Sequence, residues 1–111
     1  MTEEEIVMRL FLACLLGGLI GLEREISSRP AGFRTYILVS VGSALIMIVS
    51  IKMYLLFKTT QIDPGRIAAQ VVSGIGFLGA GTIIREGFSV KGLTTAAGLW
   101  AVAGIGLALG A

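Results

Sequence analysis

Four long apolar runs constrain this chain more than any other feature. They cover residues 6–22, 36–57, 67–84 and 94–111, and the last two contain no charged residue. A helix needs about 20 apolar residues to cross a hydrocarbon core of about 30 Å. Each run has roughly that length. The sequence therefore predicts an all-α fold, an integral membrane bundle of four transmembrane helices that forms a single domain over residues 1–111.

The composition excludes an ordinary soluble domain. Of the 111 residues 55% are hydrophobic and only 14% are charged, whereas soluble domains carry about 25% charged residues. A soluble fold of this size would expose a large part of that apolar surface to water, which disfavours it. A lipid environment accepts the same surface.

Several kinds of chemistry are also disfavoured by the residue types. The chain has one cysteine and no histidine, so zinc sites of the Cys/His type and Ser-His-Asp triads are not available within it. Gly74, Gly76 and Gly79 match a dinucleotide-binding pattern, but they lie inside an apolar run without the strand and the acidic residue that such a site requires. We therefore expect no enzyme, no metal site, no cofactor and no nucleic-acid partner.

Basic residues indicate how the bundle is oriented. The first and third polar segments hold five of them: Arg24, Arg29, Arg34, Arg85 and Lys91. Segments rich in Lys and Arg remain on the cytoplasmic side. The distribution predicts a multi-pass protein with these two loops in the cytoplasm and the N-terminus outside.

Small residues recur at helical spacing in three of the runs and predict the packing faces of the helices. In lipid, helices associate through close backbone approach and a few polar contacts. The predicted faces are Ala13, Gly17 and Gly21 in the first helix; Ala69, Ser73, Gly76 and Ala80 in the third; and Ala97, Ala101, Gly104 and Ala108 in the fourth. They also predict a homodimer. Alternatively, the glycine-rich stretch 74–81 opens the third helix and lines a pathway.

Polar and charged residues near the membrane are the candidates for a site. On the predicted cytoplasmic side these are Glu23, Arg24, Arg29, Arg34 and Arg85. They serve either as anchors for orientation or as a site for an anion or a partner protein.

Three further candidates lie outside that cluster. On the opposite side Asp63, followed by Pro64, has the pattern of a helix cap, with an ion ligand as the alternative, and Arg66 follows it. Within the third helix, Gln70 either forms a hydrogen bond across a helix contact or lines a site.

Four ordered blocks carry a family resemblance. They are GGLIGLERE at 17–25, RPAGFRT at 29–35, DPGRIAAQVVSGIGFLGAG at 63–81 and KGLTTAAGLW at 91–100. Together they resemble the N-terminal membrane domain of the MgtC/SapB family. The resemblance implies a bacterial inner-membrane protein, and it implies a fifth helix and a small cytoplasmic domain beyond Ala111.

The same resemblance implies a function. It suggests a role in adaptation to low magnesium or stress, exerted by modulating other membrane proteins, ATP synthase among them. From these expectations we derive two hypotheses: a regulatory membrane protein that binds partners, or a carrier or channel for a small ion with Gln70 and the glycine-rich stretch along its path.

Overall fold

The residues that the structure describes form four helices. A computed structural model describes residues 2–29, 31–57, 63–86 and 89–111, and at 84–86 and 89–90 it describes the backbone alone. The helices are α1 (Glu3–Ile26), α2 (Phe33–Phe57), α3 (Pro64–Ala80) and α4 (Leu93–Gly110). Between α3 and α4 lie two short antiparallel strands, β1 (Ile84–Glu86) and β2 (Ser89–Lys91). The predicted all-α membrane bundle is confirmed, with this small hairpin as an addition.

The helices have the dimensions and the surface of membrane spans. By length and composition α1, α2 and α4 are able to cross a membrane, and α3, with 17 residues, stands at the lower limit of about 17 to 25 for such helices. Large apolar side chains cover the outside: Phe11 is 61% exposed, Phe77 86% and Trp100 57%. Lipid is the solvent in which such a surface is stable.

The start of α3 follows the signal in the sequence. Asp63 is its N-cap, and the Asp63 Oδ1 atom accepts a hydrogen bond of 2.9 Å from the Gly65 N–H. Pro64 occupies the first helical position, where a missing N–H costs nothing. The prediction of Asp63 as a helix cap is confirmed.

The end of α3 differs from the prediction of a helix up to residue 84. The helix stops at Ala80, and β1 begins at Ile84. Glycine weakens a helix by about 1 kcal/mol relative to alanine, and Gly79 and Gly81 flank this end. The carbonyl of Gly79 then accepts hydrogen bonds from both the amide and the hydroxyl of Thr82, at 2.9 and 2.7 Å. This tight turn replaces the last helical turn.

Helices α2 and α4 form the centre of the bundle. The helix α1 packs along α2, and α3 packs on α4 and to a smaller extent on α2. The cross-section is flattened, with extents of 52 × 28 × 13 Å for the Cα atoms. A small core lies where the helices meet, formed by Tyr36, Val39, Leu99 and Val102. The flattened shape leaves broad helix faces directed outward.

Small residues bring the backbones of α1, α2 and α4 into contact. A Cβ atom added at Gly17 would lie 2.6 Å from the Cβ of Ser40, and one at Gly21 would lie 2.8 Å from the Cβ of Tyr36. On α4, a Cβ atom at Gly106 would collide with the carbonyl oxygen of Ser40. The Ser40 hydroxyl in turn donates a hydrogen bond of 2.7 Å to the carbonyl of Ala13. The structure thus places Ala13, Gly17 and Gly21 against α2.

The small-residue faces predicted for α3 and α4 are not the packing faces of those helices within this chain. Residues Ala69, Ser73, Gly76 and Ala80 of α3, and Ala97, Ala101, Gly104 and Ala108 of α4, are all exposed. Instead, α3 packs through the side that carries Gly79, which lies against Ala96. The packing side of α4 carries Gly106 and Gly110. On α4 the small residues therefore lie on two opposite sides, and on α3 Gly79 lies roughly 90° around the helix from the predicted face. Spacing alone does not tell which of these sides faces the bundle.

Alanine substitutions at two glycines of α4 separate these two sides. Gly106→Ala should lower the free energy of unfolding by about 1–3 kcal/mol, because the new methyl group overlaps the Ser40 carbonyl. Gly104→Ala is the matched control, since a Cβ atom there meets nothing within 4 Å; it should be neutral or stabilise by up to about 1 kcal/mol. Unfolding of both variants by denaturing detergent measures the difference. Equal effects would contradict the assigned helix contact.

Candidate functional site

Polar groups of three helices meet at one end of the bundle. This end carries the C-terminus of α1, the N-terminus of α2 and the N-terminus of α4. The chain reverses after α1 because Ser28 adopts a left-handed conformation, with φ of 56°, and the Arg29 N–H donates to the Arg24 carbonyl at 3.0 Å. The reversal lays the beginning of α2 against the last turns of α1. The first turn of α4 completes the cluster.

Arg24 is the central residue of this end. Only 11% of its side chain is exposed, and its Nη2 atom donates a hydrogen bond of 3.0 Å to the Thr95 hydroxyl of α4. The Nη1 atom lies 4.0 Å from the carboxylate of Glu23, which is 64% exposed. The Nε–H group is buried and finds no acceptor within the part of the chain that the structure describes. The guanidinium therefore retains hydrogen-bonding capacity directed into the protein.

Tyr36 and Thr95 hold the cluster together from α2 and α4. Both residues are buried, and the Tyr36 hydroxyl donates to the Thr95 carbonyl at 3.4 Å. Gly98, one turn further along α4, leaves the space that the Tyr36 hydroxyl occupies. The sequence did not predict that Tyr36 and Thr95 take part in this cluster. Arg24 and Thr95 are 71 residues apart, and no local pattern relates them.

The remaining charged candidates whose side chains the structure describes do not join this cluster. Arg29 and Arg34 are exposed near the same end, and the side chain of Arg85 lies outside the described residues. Asp63 and Arg66 lie at the opposite end, at the start of α3, and Arg66 is exposed. The structure thus places the charged candidates with described side chains at two opposite ends of the bundle.

Gln70 belongs to a third region, a groove between α2 and α3. The groove has a volume of about 540 Å³ and is lined by apolar side chains with Ser43 and Gln70 as its polar groups. Gln70 is exposed, and Gly74 lies one turn above it on the same wall. The groove is open along its side.

Comparison with known proteins identifies relatives over nearly the whole chain. The model of the family described as "MgtC family" matches residues 10–111. The "Protein MgtC" of Salmonella typhimurium strain LT2 is 53% identical over 104 residues, which is 94% of this chain and 42% of that protein. The "Putative magnesium transporter YhiD" of Escherichia coli K12 is 47% identical over 109 residues, 96% of this chain and 51% of that protein.

A third relative gives a similar result. The "Protein SapB" of Bacillus subtilis strain 168 is 44% identical over 113 aligned positions, 98% of this chain and 49% of that protein. The chain therefore spans about half the length of the curated relatives it matches. No solved structure matches the chain.

The hydrogen bond between Arg24 and Thr95 leads to a stability prediction. Thr95→Val removes the acceptor and leaves the largely buried guanidinium with a second unsatisfied donor, which should lower the free energy of unfolding by about 1–3 kcal/mol. Thr94→Val, on the exposed side of the same turn, should change it by less than about 0.5 kcal/mol. Thermal unfolding in detergent measures both variants. A larger loss for Thr94→Val would show that the contact is unimportant.

Proposed function

The chain belongs to the MgtC family, and on that premise we propose that it is a regulatory protein of the bacterial inner membrane. It binds other membrane proteins and alters their activity during adaptation to low magnesium or stress, and it catalyses no reaction itself. ATP synthase is one candidate partner, from the family resemblance. In this proposal the end of the bundle with Arg24, Arg29 and Arg34 faces the cytoplasm.

The outward small-residue faces of α3 and α4 are the observation that carries this proposal. Gly76 and Gly104 lie on these faces, and a Cβ atom added at either would meet nothing within 4 Å. Such faces gain little dispersion energy from contact with lipid. A partner helix can approach them closely and gain dispersion energy along its length. The protein thus offers contact surfaces for other membrane helices.

A second copy of the chain is the simplest partner for one of these faces. Two identical faces can pair about a two-fold axis. In such an interface, if one residue of the first copy contacts another residue of the second, the reverse contact also forms. Ser73, exposed on the face of α3, supplies a hydroxyl that both donates and accepts a hydrogen bond across such a contact. We therefore include a homodimer in the proposal.

The groove between α2 and α3 supports a second candidate, a carrier for a small ion or solute. Gln70 and Gly74 line this groove, and the relative from Escherichia coli bears the description "Putative magnesium transporter". A transport pathway between α1, α2 and α4 is less favourable, because α2 and α4 are in close contact there. The Ser40 carbonyl contacts Gly106, and the Ala44 carbonyl contacts Gly110. Transport would therefore run along α3.

Leucine substitutions at three glycines test the outward faces. Gly76→Leu and Gly104→Leu place bulk on the faces of α3 and α4, so at least one of them should weaken self-association by about tenfold. Gly42→Leu is the control, since it fills open space beside the groove and should change association by less than about twofold. Single-molecule photobleaching in bilayers measures the dimer fraction. Gly17→Leu is unsuitable, because it would disrupt the contact between α1 and α2.

The same three variants extend the test to partners. Co-purification with ATP synthase from bacterial membranes should decrease for the variant of whichever face binds it and remain unchanged for Gly42→Leu. If all three variants associate and co-purify as the wild type does, the outward faces are lipid-exposed surfaces and the regulatory proposal loses its basis.

Flux measurements distinguish the two candidate functions. In sealed vesicles the wild-type protein should pass no Mg²⁺ above the background of empty vesicles, since a regulator needs no pathway. Selective uptake that decreases by about tenfold or more in Gln70→Leu would instead establish the carrier, because that change removes the amide of the groove. Fluorescence of a trapped magnesium indicator provides the measurement.

A further inference from the structure

We propose that Arg24 and the first turn of α4 form a binding site for a phosphate group. The site is independent of the partner proteins discussed above. It rests on two features that meet at one place: a largely buried guanidinium with an unused donor, and a helix N-terminus that lacks a side-chain cap.

The first feature is the orientation of the Arg24 guanidinium. Its Nε and Nη2 atoms form one edge of the group, and that edge is suited to two parallel hydrogen bonds to an oxyanion. The Nη2 end of this edge lies at the first turn of α4, because Nη2 contacts the Thr95 hydroxyl. About nine-tenths of the side chain is buried, and the Nε–H has no acceptor among the described residues.

The second feature is the N-terminus of α4. Its N-cap is Gly92, which has no side chain to cap the helix. The first intrahelical bond runs from the Ala96 N–H to the Gly92 carbonyl. In the described chain the N–H groups of Leu93, Thr94 and Thr95 have no acceptor. Free N–H groups and the positive end of the helix dipole favour an anion.

The carboxylate nearest to Arg24 does not occupy this edge. Glu23 approaches Arg24 from the Nη1 side at 4.0 Å, so it does not occupy the edge formed by Nε and Nη2. Tyr36 uses its hydroxyl on the Thr95 carbonyl. Leu93 and Thr94 are exposed, and they give access to the first turn from outside.

A phosphate group suits this arrangement better than a carboxylate. It carries several acceptor oxygens in a tetrahedral arrangement, so it can accept from the Arg24 edge and from the amides of α4 together. The site lies at the ends of two membrane helices, which is the depth of lipid headgroups. Both the headgroup phosphate of an anionic lipid and free inorganic phosphate have the required chemistry.

Binding measurements on the purified protein test the site and separate the two sources. One arm titrates radiolabelled inorganic phosphate into protein in a phosphate-free maltoside detergent. The other arm adds dihexanoyl phosphatidylglycerol and counts bound lipids by native mass spectrometry, with dihexanoyl glycerol as the uncharged control. We expect saturable binding of one ligand per chain in at least one arm, and that arm identifies the source.

Three substitutions locate the binding. Arg24→Gln removes the charge and should weaken binding at least about tenfold. Arg24→Lys keeps the charge but lacks the edge formed by Nε and Nη2, and it should weaken binding about fivefold. Thr94→Glu leaves Arg24 intact and places a competing carboxylate in the exposed first turn, where it suits the helix dipole; it should also abolish about nine-tenths of the binding. Arg29→Gln, an exposed arginine near the same end, is the control and should change binding less than about twofold.

Thr94→Glu keeps the test decisive if the Arg24 variants fail to fold. Absence of saturable binding by the wild type in both arms would overturn the site. So would wild-type affinity in Thr94→Glu or in a folded Arg24 variant, and so would an equal loss in Arg29→Gln, which would indicate general attraction to basic charge.

Discussion

The close contact of helix backbones within lipid determines the rest of this structure. A hydrocarbon solvent does not drive apolar helices together, so dispersion contacts and buried hydrogen bonds must hold them. Glycines at the crossings allow this: Gly17 and Gly21 admit α2 to α1, and Gly106 admits the Ser40 carbonyl to α4. Ser40 also joins α1 through its hydrogen bond to the Ala13 carbonyl. Larger residues at these positions would separate the three helices.

The polar end of the bundle depends on those crossings. Arg24 on α1 reaches Thr95 on α4 only because both helices are held against α2. The network uses a hydroxyl, a carbonyl and a guanidinium instead of a tightly paired carboxylate, since the nearest oxygen of Glu23 is 4.0 Å from Arg24. Among the described residues this end therefore retains one buried donor without an acceptor, the Arg24 Nε–H, which suits an anion. The sides of the bundle, in contrast, offer small-residue surfaces without charge, which suit other helices.

The sequence predicted the features that depend on local chemistry. Run lengths predicted four membrane helices, and the Asp63–Pro64 pair predicted the start of α3. It could not predict which of two small-residue sides packs, because Gly104 and Gly106 look equivalent in spacing patterns although only Gly106 contacts α2. The strands β1 and β2 were missed because residues 82–84 continue an apolar run, and the turn at Thr82 arises from side-chain hydrogen bonds. The pairing of Arg24 with Thr95 is a tertiary contact without a local signal.

Magic-angle-spinning NMR of the chain in lipid bilayers, with ¹³C-labelled glycine and serine, tests the central contact most directly. The packing of α4 on α2 predicts cross-peaks from Gly106 to Ser40 and Ser43, whose atoms lie against it, and none from Gly104 to any serine. Helical shifts at Gly106 without these cross-peaks, or serine cross-peaks at Gly104 in their place, would contradict it.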